Sequence, residues 1–245
     1  MPTHTRLAVI VPCFNPAPGW VASLSGKFLG LQTQLAALGL DANLTLVNDG
    51  STRNVEAENL RQLAENVPGT QIIQYPTNRG KGHALRQGVA ATDADFHLLT
   101  DIDFPYTLPS MVRVAQVLLE KGGIAAGNRD TGYYSNVPFF RRMLSQGLRW
   151  LLLRVIRLPV SDSQCGLKGF DRAGREVFLA TTIDRFLFDL EFLMLAGGRV
   201  PVVPVPVELR AGVVFSRVGW KILLTEGRNF LWLFLRKGRA KEGKS

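Results

Sequence analysis

Arg6–Pro12 reads RLAVIVP, an apolar, β-branched run that is too short for a globular helix and is stopped by proline. Four more runs of this kind follow: NLTLVND (43–49), TQIIQY (70–75), FHLLTD (96–101) and GIAAGN (123–128). Between them, residues 20–38, 54–66, 80–91 and 108–121 carry helical periodicity. Strands that are apolar on both faces and alternate with helices are expected to be buried parallel strands, so the first half predicts an α/β fold with a Rossmann-like, mainly parallel sheet flanked by helices. Gly39 and Gly122 stand where helices should stop, and Ser51 or Thr52 is placed to cap the second helix.

The rest of the composition narrows the class. A chain of 245 residues can bury a substantial core, and we expect a single domain over 1–245. Cys13 and Cys165 are far apart and form no C-x-x-C, which argues against a disulfide scaffold or a zinc site and makes a reducing compartment the default. The N-terminal apolar run fits a first strand better than a signal peptide. Arg149, Arg154 and Arg157 interrupt one candidate membrane span, and Glu226 and Arg228 the other, so no crossing is expected. The net charge is +9, and its excess is one-sided: residues 1–128 carry 9 Lys/Arg against 10 Asp/Glu, residues 129–245 carry 20 against 10. A basic half of this kind points to an anionic partner such as nucleic acid, a phospholipid surface or a phosphorylated substrate. Segments 137–158 and 220–245 mix leucine and aromatic residues with arginine and lysine, as helices in a membrane interface do, although packing on the sheet would explain the same pattern.

In an open parallel sheet, ligands bind beyond the carboxyl ends of the strands. VPCFNP, VNDGST and LTDIDFP fall there, after the first, second and fourth strands. No G-x-G-x-x-G follows the first strand and no G-x-x-x-x-G-K-[ST] occurs, which argues against a dinucleotide cofactor or a P-loop. Asp101 and Asp103, at i and i+2, point the same way, and two like charges so placed call for a cation. A hard divalent ion, Mg2+ or Mn2+, with phosphate oxygens as further ligands meets that need. A solvated loop or a helix cap is the plainer reading of the pair taken alone.

VPCFN, VNDGST, NRGKGHALRQG and TDID, in this order, resemble the family 2 glycosyltransferases, nucleotide-sugar enzymes of the A-type glycosyltransferase fold. SDSQCGLKGFDR (161–172), RFLFDLEFL (185–193) and VPVELRAGVVFSRV (205–218) further resemble the polyprenyl-phosphate branch, which includes dolichyl-phosphate glucosyltransferases and mannosyltransferases. The likeness spans roughly residues 6–220. It implies that Pro12, Phe14 and Asn15 hold the nucleobase, that Asp49 bonds base or ribose, and that Arg79 and Lys81 reach base or phosphate. Asp49 as a helix cap, and NRGKG as a simple strand-to-helix turn, remain the structural alternatives. Asp101 is implied to contact ribose and metal, and Asp103 to be the main metal ligand. Where mannosyltransferases of the branch continue with Gln, this chain runs Phe104, Pro105, Tyr106.

On the acceptor side, Arg129 matches an arginine at the end of the fifth strand, Arg141 and Ser145 repeat the branch's lipid-phosphate spacing, and Ser216 with Arg217 resemble a closing phosphate-binding pair. Residues i and i+4 share a helix face, so Arg141 and Ser145 can converge on one anion. Asp189 and Glu191 are divided between orienting sugar hydroxyls and starting a helix. His83 and His97 are taken as structural, and Cys165 is given no nucleophilic role.

The resemblance therefore implies a nucleotide-sugar half (1–128), an acceptor half (129–219) and a basic C-terminal segment (220–245). The enzyme would be a metal-dependent inverting hexosyltransferase using UDP-glucose first, or GDP-mannose, with a polyprenyl phosphate at an anionic membrane surface, cytoplasmic and peripheral. A same-fold transferase with a soluble or protein-bound acceptor is the main alternative. A nucleic-acid-binding protein would leave the aspartate pair unexplained, and no nucleic-acid partner is expected.

Overall fold

The computed structural model describes residues 5–129, 160 and 162–211. Segments 137–158 and 220–245, and with them Arg141, Ser145, Ser216 and Arg217, lie outside the described residues.

The first half folds as its periodicity predicts. Strands β1 (Thr5–Cys13), β2 (Leu40–Asp49), β3 (Gln71–Tyr75), β4 (Phe96–Leu99) and β5 (Ile124–Arg129) alternate with helices α1 (Trp20–Ala36), α2 (Ala57–Asn66), α3 (Lys81–Ala91) and α4 (Leu108–Lys121). β6 (Lys168–Phe170), α5 (Arg172–Leu179), α6 (Phe188–Ala196) and β7 (Val202–Val207) complete the described chain. The strands form one sheet in the order β3-β2-β1-β4-β6-β5-β7. β1 pairs parallel with β2 and β4, β2 with β3, and β5 with β7.

Two expectations need correction. FHLLTD and GIAAGN, expected as parallel strands, each have an antiparallel neighbour, because β6 enters between β4 and β5 and pairs antiparallel with both. Three residues inside the LKGF motif were too short to read as a strand. Nor do Ser51 or Thr52 cap α2. After Asn54 turns the chain at φ 60°, the cap is Glu56, in a reciprocal capping box with Asn59. Elsewhere the punctuation holds: Gly39 (φ 76°) follows α1 and Gly122 (φ 61°) ends α4.

Helices cover both faces of the sheet. On one, Leu24, Phe28 and Leu31 of α1 meet Met111, Val114 and Leu118 of α4 over the strands. On the other, Leu85 and Val89 of α3 join Phe178, Phe188 and Phe192. α3 sits close to the strands, since a Cβ on Gly88 would fall 2.4 Å from Ile10 Cγ2. No helix among the described residues is long and apolar enough to cross a membrane.

His97 of β4 lies in this second core, fully buried and stacked on Phe170 at 5.5 Å. Nε2 is 3.0 Å from Thr92 Oγ1, which also lies within hydrogen-bond distance of Gly88 O (3.0 Å) and Val89 O (3.3 Å). Nδ1 has no partner among the described residues. Burial first, then the Arg175 charge, pushes the imidazole down to about 4. Since the unfolded chain takes up this proton near 6.5, the contribution of neutral His97 is complete above that pH and is lost as pH falls from 6.5 towards about 4. The loss amounts to about 3 kcal/mol at most. Urea unfolding at pH 7.5, 5.5 and 4.5 should show this slope in the wild type and a flatter one in His97→Gln, and equal slopes would remove His97 as the cause.

Candidate active site

The strand ends that carry the informative motifs come together at one edge of the sheet. Asn15, at φ 46°, accepts from the backbone N–H groups of Thr52 (2.8 Å) and Arg53 (3.0 Å), while its own N–H donates to Ser51 Oγ at 3.0 Å. Asn54 Nδ2 donates back to Pro16 O, and Trp20 Nε1 to Asn54 O. The loops after β1 and β2 are thereby sewn into one wall. Phe14 stands on it half exposed, beside the partly buried Pro12.

Asp49 is buried, and its carboxylate accepts from Asn78 Nδ2 (2.7 Å), Arg79 N (2.8 Å) and Gly80 N (2.9 Å). It is not a helix cap: it straps the NRGKG turn to the end of β2. The glycines of that turn answer to packing as well. Gly80 sits at φ 112°, and a Cβ there would lie 2.4 Å from Asp184 O; one on Gly82 would lie 2.5 Å from Ile183 O. Arg79 is exposed, with Nη1 3.5 Å from His83 Nε2. His83 belongs to a latch in which Asp184 pairs with Arg86 and accepts the His83 backbone N–H through its carbonyl.

The strap aims Lys81 at the aspartate pair. Its Nζ lies 2.5 Å from Asp101 Oδ1, with side chains 21% and 35% exposed respectively. Burial alone would lower the ammonium, but Asp101, then Asp189 and Asp103, outweigh it and hold Lys81 above its usual range. Asp103 is open to solvent, yet its carboxyl is pushed up by the protein packed around it and then by the Asp101 charge. The Lys27 and Arg210 charges pull the Asp103 carboxyl back down without cancelling that rise.

Gly166 closes the other side, where a Cβ would come within 2.8 Å of Asp101 Oδ2. Its N–H donates to Tyr106 Oη at 2.9 Å, and Cys165 Sγ to the same oxygen at 3.3 Å. Tyr106 and Cys165 are buried, and burial pushes both groups up, so neither is an acid or nucleophile near neutral pH. Behind this loop, fully buried Lys168 donates to Ser163 O (3.1 Å), Cys165 O (2.5 Å) and Asp189 Oδ1 (2.6 Å).

Several expected site residues have structural partners. Glu191 accepts from Thr182 N, Thr182 Oγ1 and Ile183 N, each at 2.8 Å, and so organises the loop before α6. Asp189 faces Lys168, and neither acid is free for sugar hydroxyls. Arg129 binds Asp162 through Nε (2.6 Å) and Nη2 (2.9 Å), so an acceptor phosphate would have to share a guanidinium already forked onto a carboxylate. Sequence reading passed over Lys27, Tyr106, Asp162, Lys168 and Arg210. None of them carried a sequence signal: Lys168 lies in β6, which is too short to show a period.

The oxygen set fits a hard divalent ion. Asp101 and Asp103 offer carboxylates from one turn, and Gly166 puts no side chain against Asp101 Oδ2. No group of three His, Cys, Asp or Glu that could hold a metal occurs among the described residues. An ion held by these two carboxylates would take most of its ligands from phosphate oxygens and water.

The chain is 28% identical over 216 residues to a dolichyl-phosphate beta-glucosyltransferase of Dictyostelium discoideum, covering 82% of this chain and 65% of the relative. A Drosophila melanogaster protein of the same name is 28% identical over 219 residues, covering 83% and 66%. The chain thus spans about two thirds of the length of these relatives. Among solved structures it is similar to mannosyl-3-phosphoglycerate synthase from Rubrobacter xylanophilus (TM-score 0.68, 14% identity, covering 98% of this chain and 76% of that one). A second is glucosyl-3-phosphoglycerate synthase from Mycobacterium tuberculosis in complex with UDP (TM-score 0.61, 17% identity, 90% and 75%). A third is a Pyrobaculum calidifontis mannosyltransferase in complex with GDP-Man and Mn2+ (TM-score 0.54, 19% identity, 84% and 56%). These likenesses establish the A-type glycosyltransferase fold. The model of glycosyl transferase family 2 matches residues 8–178, a span that holds the wall at Asn15, the Asp49 strap and the aspartate pair, and the chain belongs to that family.

Proposed function

We propose that this protein transfers glucose, with inversion, from a nucleotide sugar, UDP-glucose first, to a polyprenyl or dolichyl phosphate at a membrane surface. The observation that carries the reading is the Asp101–Asp103 pair at the carboxyl end of β4, flanked by Lys81 and Gly166, in a family 2 chain. The names of the relatives favour glucose and a dolichyl phosphate acceptor.

Asp101 and Asp103 would hold Mg2+ or Mn2+, which when bound neutralises charge on the departing nucleoside diphosphate. Lys81 adds a fixed positive charge beside the same carboxylate. Phe14, Pro12 and the wall tied together by Asn15 supply an apolar seat for a base. An acceptor phosphate monoester, with a second pKa near about 6, arrives largely as a dianion. Its oxygen forms the new bond to the anomeric carbon as the carbon–oxygen bond to the diphosphate breaks, and no strong protein base is needed. Arg141, Ser145, Ser216 and Arg217 are assigned to that phosphate, and the apolar and basic segments 137–158 and 220–245 to the membrane surface.

The test is incubation with labelled UDP-glucose or GDP-mannose, polyprenyl phosphate and Mn2+, followed by solvent partition. Glucose label in the organic phase is expected; label confined to water-soluble products would favour a soluble acceptor. Within the same assay, Arg141→Ala should raise the apparent KM for polyprenyl phosphate about tenfold or more and leave donor KM nearly unchanged. Loss of donor affinity with normal acceptor kinetics would move Arg141 to the diphosphate.

A further inference from the structure

We propose that Arg210 is the positioning residue that holds the aspartate-pair loop in its binding geometry. The inference rests on the reading of Asp101 and Asp103 as the seat of a divalent ion and a nucleoside diphosphate.

The loop is not self-supporting. After Asp103 the chain turns through Phe104 at φ 47°, a region that side chains of this size rarely occupy. Only one backbone bond closes the turn from within, Phe104 N–H to Asp101 O at 2.9 Å. The Phe104 ring is fully buried and fixes one end. The other side presents the carbonyls of three consecutive residues, and Arg210 takes all three. Nη2 donates to Asp103 O at 2.7 Å, Nε to Phe104 O at 2.6 Å, and the backbone N–H to Pro105 O at 2.8 Å. Lys27 Nζ adds a second donor to Asp103 O at 2.9 Å.

This arrangement does two things that a plain structural contact would not. A planar guanidinium with divergent N–H groups fixes the relative direction of neighbouring carbonyls, and so the direction in which the Asp103 side chain leaves the backbone. It also brings positive charge to Asp103 without using its carboxylate, to which no other described residue donates a hydrogen bond. Residues 208–210 are stitched along 105–107 by Thr107 N–H to Glu208 O (3.0 Å) and by the Tyr106–Leu209 bridge. Arg210 stands at the end of that ribbon, nearest the acids.

Calorimetric titration of the intact chain with UDP, with and without Mn2+, decides the matter. Arg210→Ala is expected to weaken Mn2+-dependent UDP binding at least about tenfold, in the range seen when groups that orient metal ligands are removed. Affinity for UDP without metal should change less than twofold. Arg210→Lys, which keeps the charge and loses the fork, should fall between; it carries the test if Arg210→Ala does not fold. Arg113→Ala is the control, because Arg113 Nη1 donates to Pro206 O (2.8 Å) at the end of β7 without touching the acid loop, and it should bind like the wild type. Wild-type metal-dependent affinity in the Arg210 variant, or an equal loss in Arg113→Ala, overturns the inference. A wild-type chain that gains no UDP affinity from Mn2+ overturns the underlying reading, and the inference with it.

Discussion

Asp103→Asn is expected to lower glycosyl transfer by more than about 100-fold without lowering the melting temperature. Removing groups that merely orient metal ligands costs 10- to 100-fold, and a direct ligand should cost more. Asn keeps the volume and loses the charge. In a structural acid such a change leaves its partners unsatisfied and melts the protein earlier. Here no other described residue donates a hydrogen bond to the Asp103 carboxylate, and its neighbour Asp101 repels it. The variant should therefore melt at the wild-type temperature or slightly above. Lost turnover combined with unchanged or raised stability identifies an acid kept for a ligand. Turnover within a few fold of wild type at limiting Mn2+ would end the metal assignment.

The contrast with Asp49 shows what could be read in advance and what could not. Both are aspartates at strand ends in motifs of the family, and for each the sequence left a ligand role and a plain structural role open. Asp49 has three short hydrogen bonds and holds a loop; Asp103 has a charge problem and open solvent. The i, i+2 spacing with Asp101 set Asp103 apart, but which partners each acid finds is a tertiary property that no spacing rule supplies. The alternation of strands and helices up to β5 was legible because each element carries its own period and its own stops, such as Gly39 and Gly122. β6 was not, because three residues hold less than two periods of alternation, and its place between β4 and β5 depends on pairing from both sides. The glycines of NRGKG were legible as a turn, but the reason for them is the backbone of Ile183 and Asp184, about a hundred residues away in sequence. Arg210 lay inside a quoted motif and still went unassigned, since an arginine that binds carbonyls has no sequence signature.

Lys168→Met should give the largest loss of stability, about 3–5 kcal/mol, which is a fall in melting temperature of roughly 10 °C for a domain of this size. Lys168 is fully buried and Asp189 5% exposed, so both charges were taken from water on folding. The ammonium has three donors and three acceptors, Ser163 O, Cys165 O and Asp189 Oδ1. Methionine fills the volume and satisfies none of them. Asp189 would be left with its charge facing apolar surroundings, where burial already pushes its carboxyl up against the pull of Lys168 and Lys81. Pairing the change with Asp189→Leu removes the stranded charge. If the pair matters mainly by mutual compensation, the double variant should be more stable than Lys168→Met alone, by about 1 kcal/mol or more. If the two losses simply add, Lys168 acts through the 163–165 carbonyls and not through Asp189. The activity of the double variant then reports on the loop itself: Ser163 and Cys165 lead directly to Gly166, whose backbone lies against Asp101, so a chain that refolds to near wild-type stability with a slackened loop should still lose turnover.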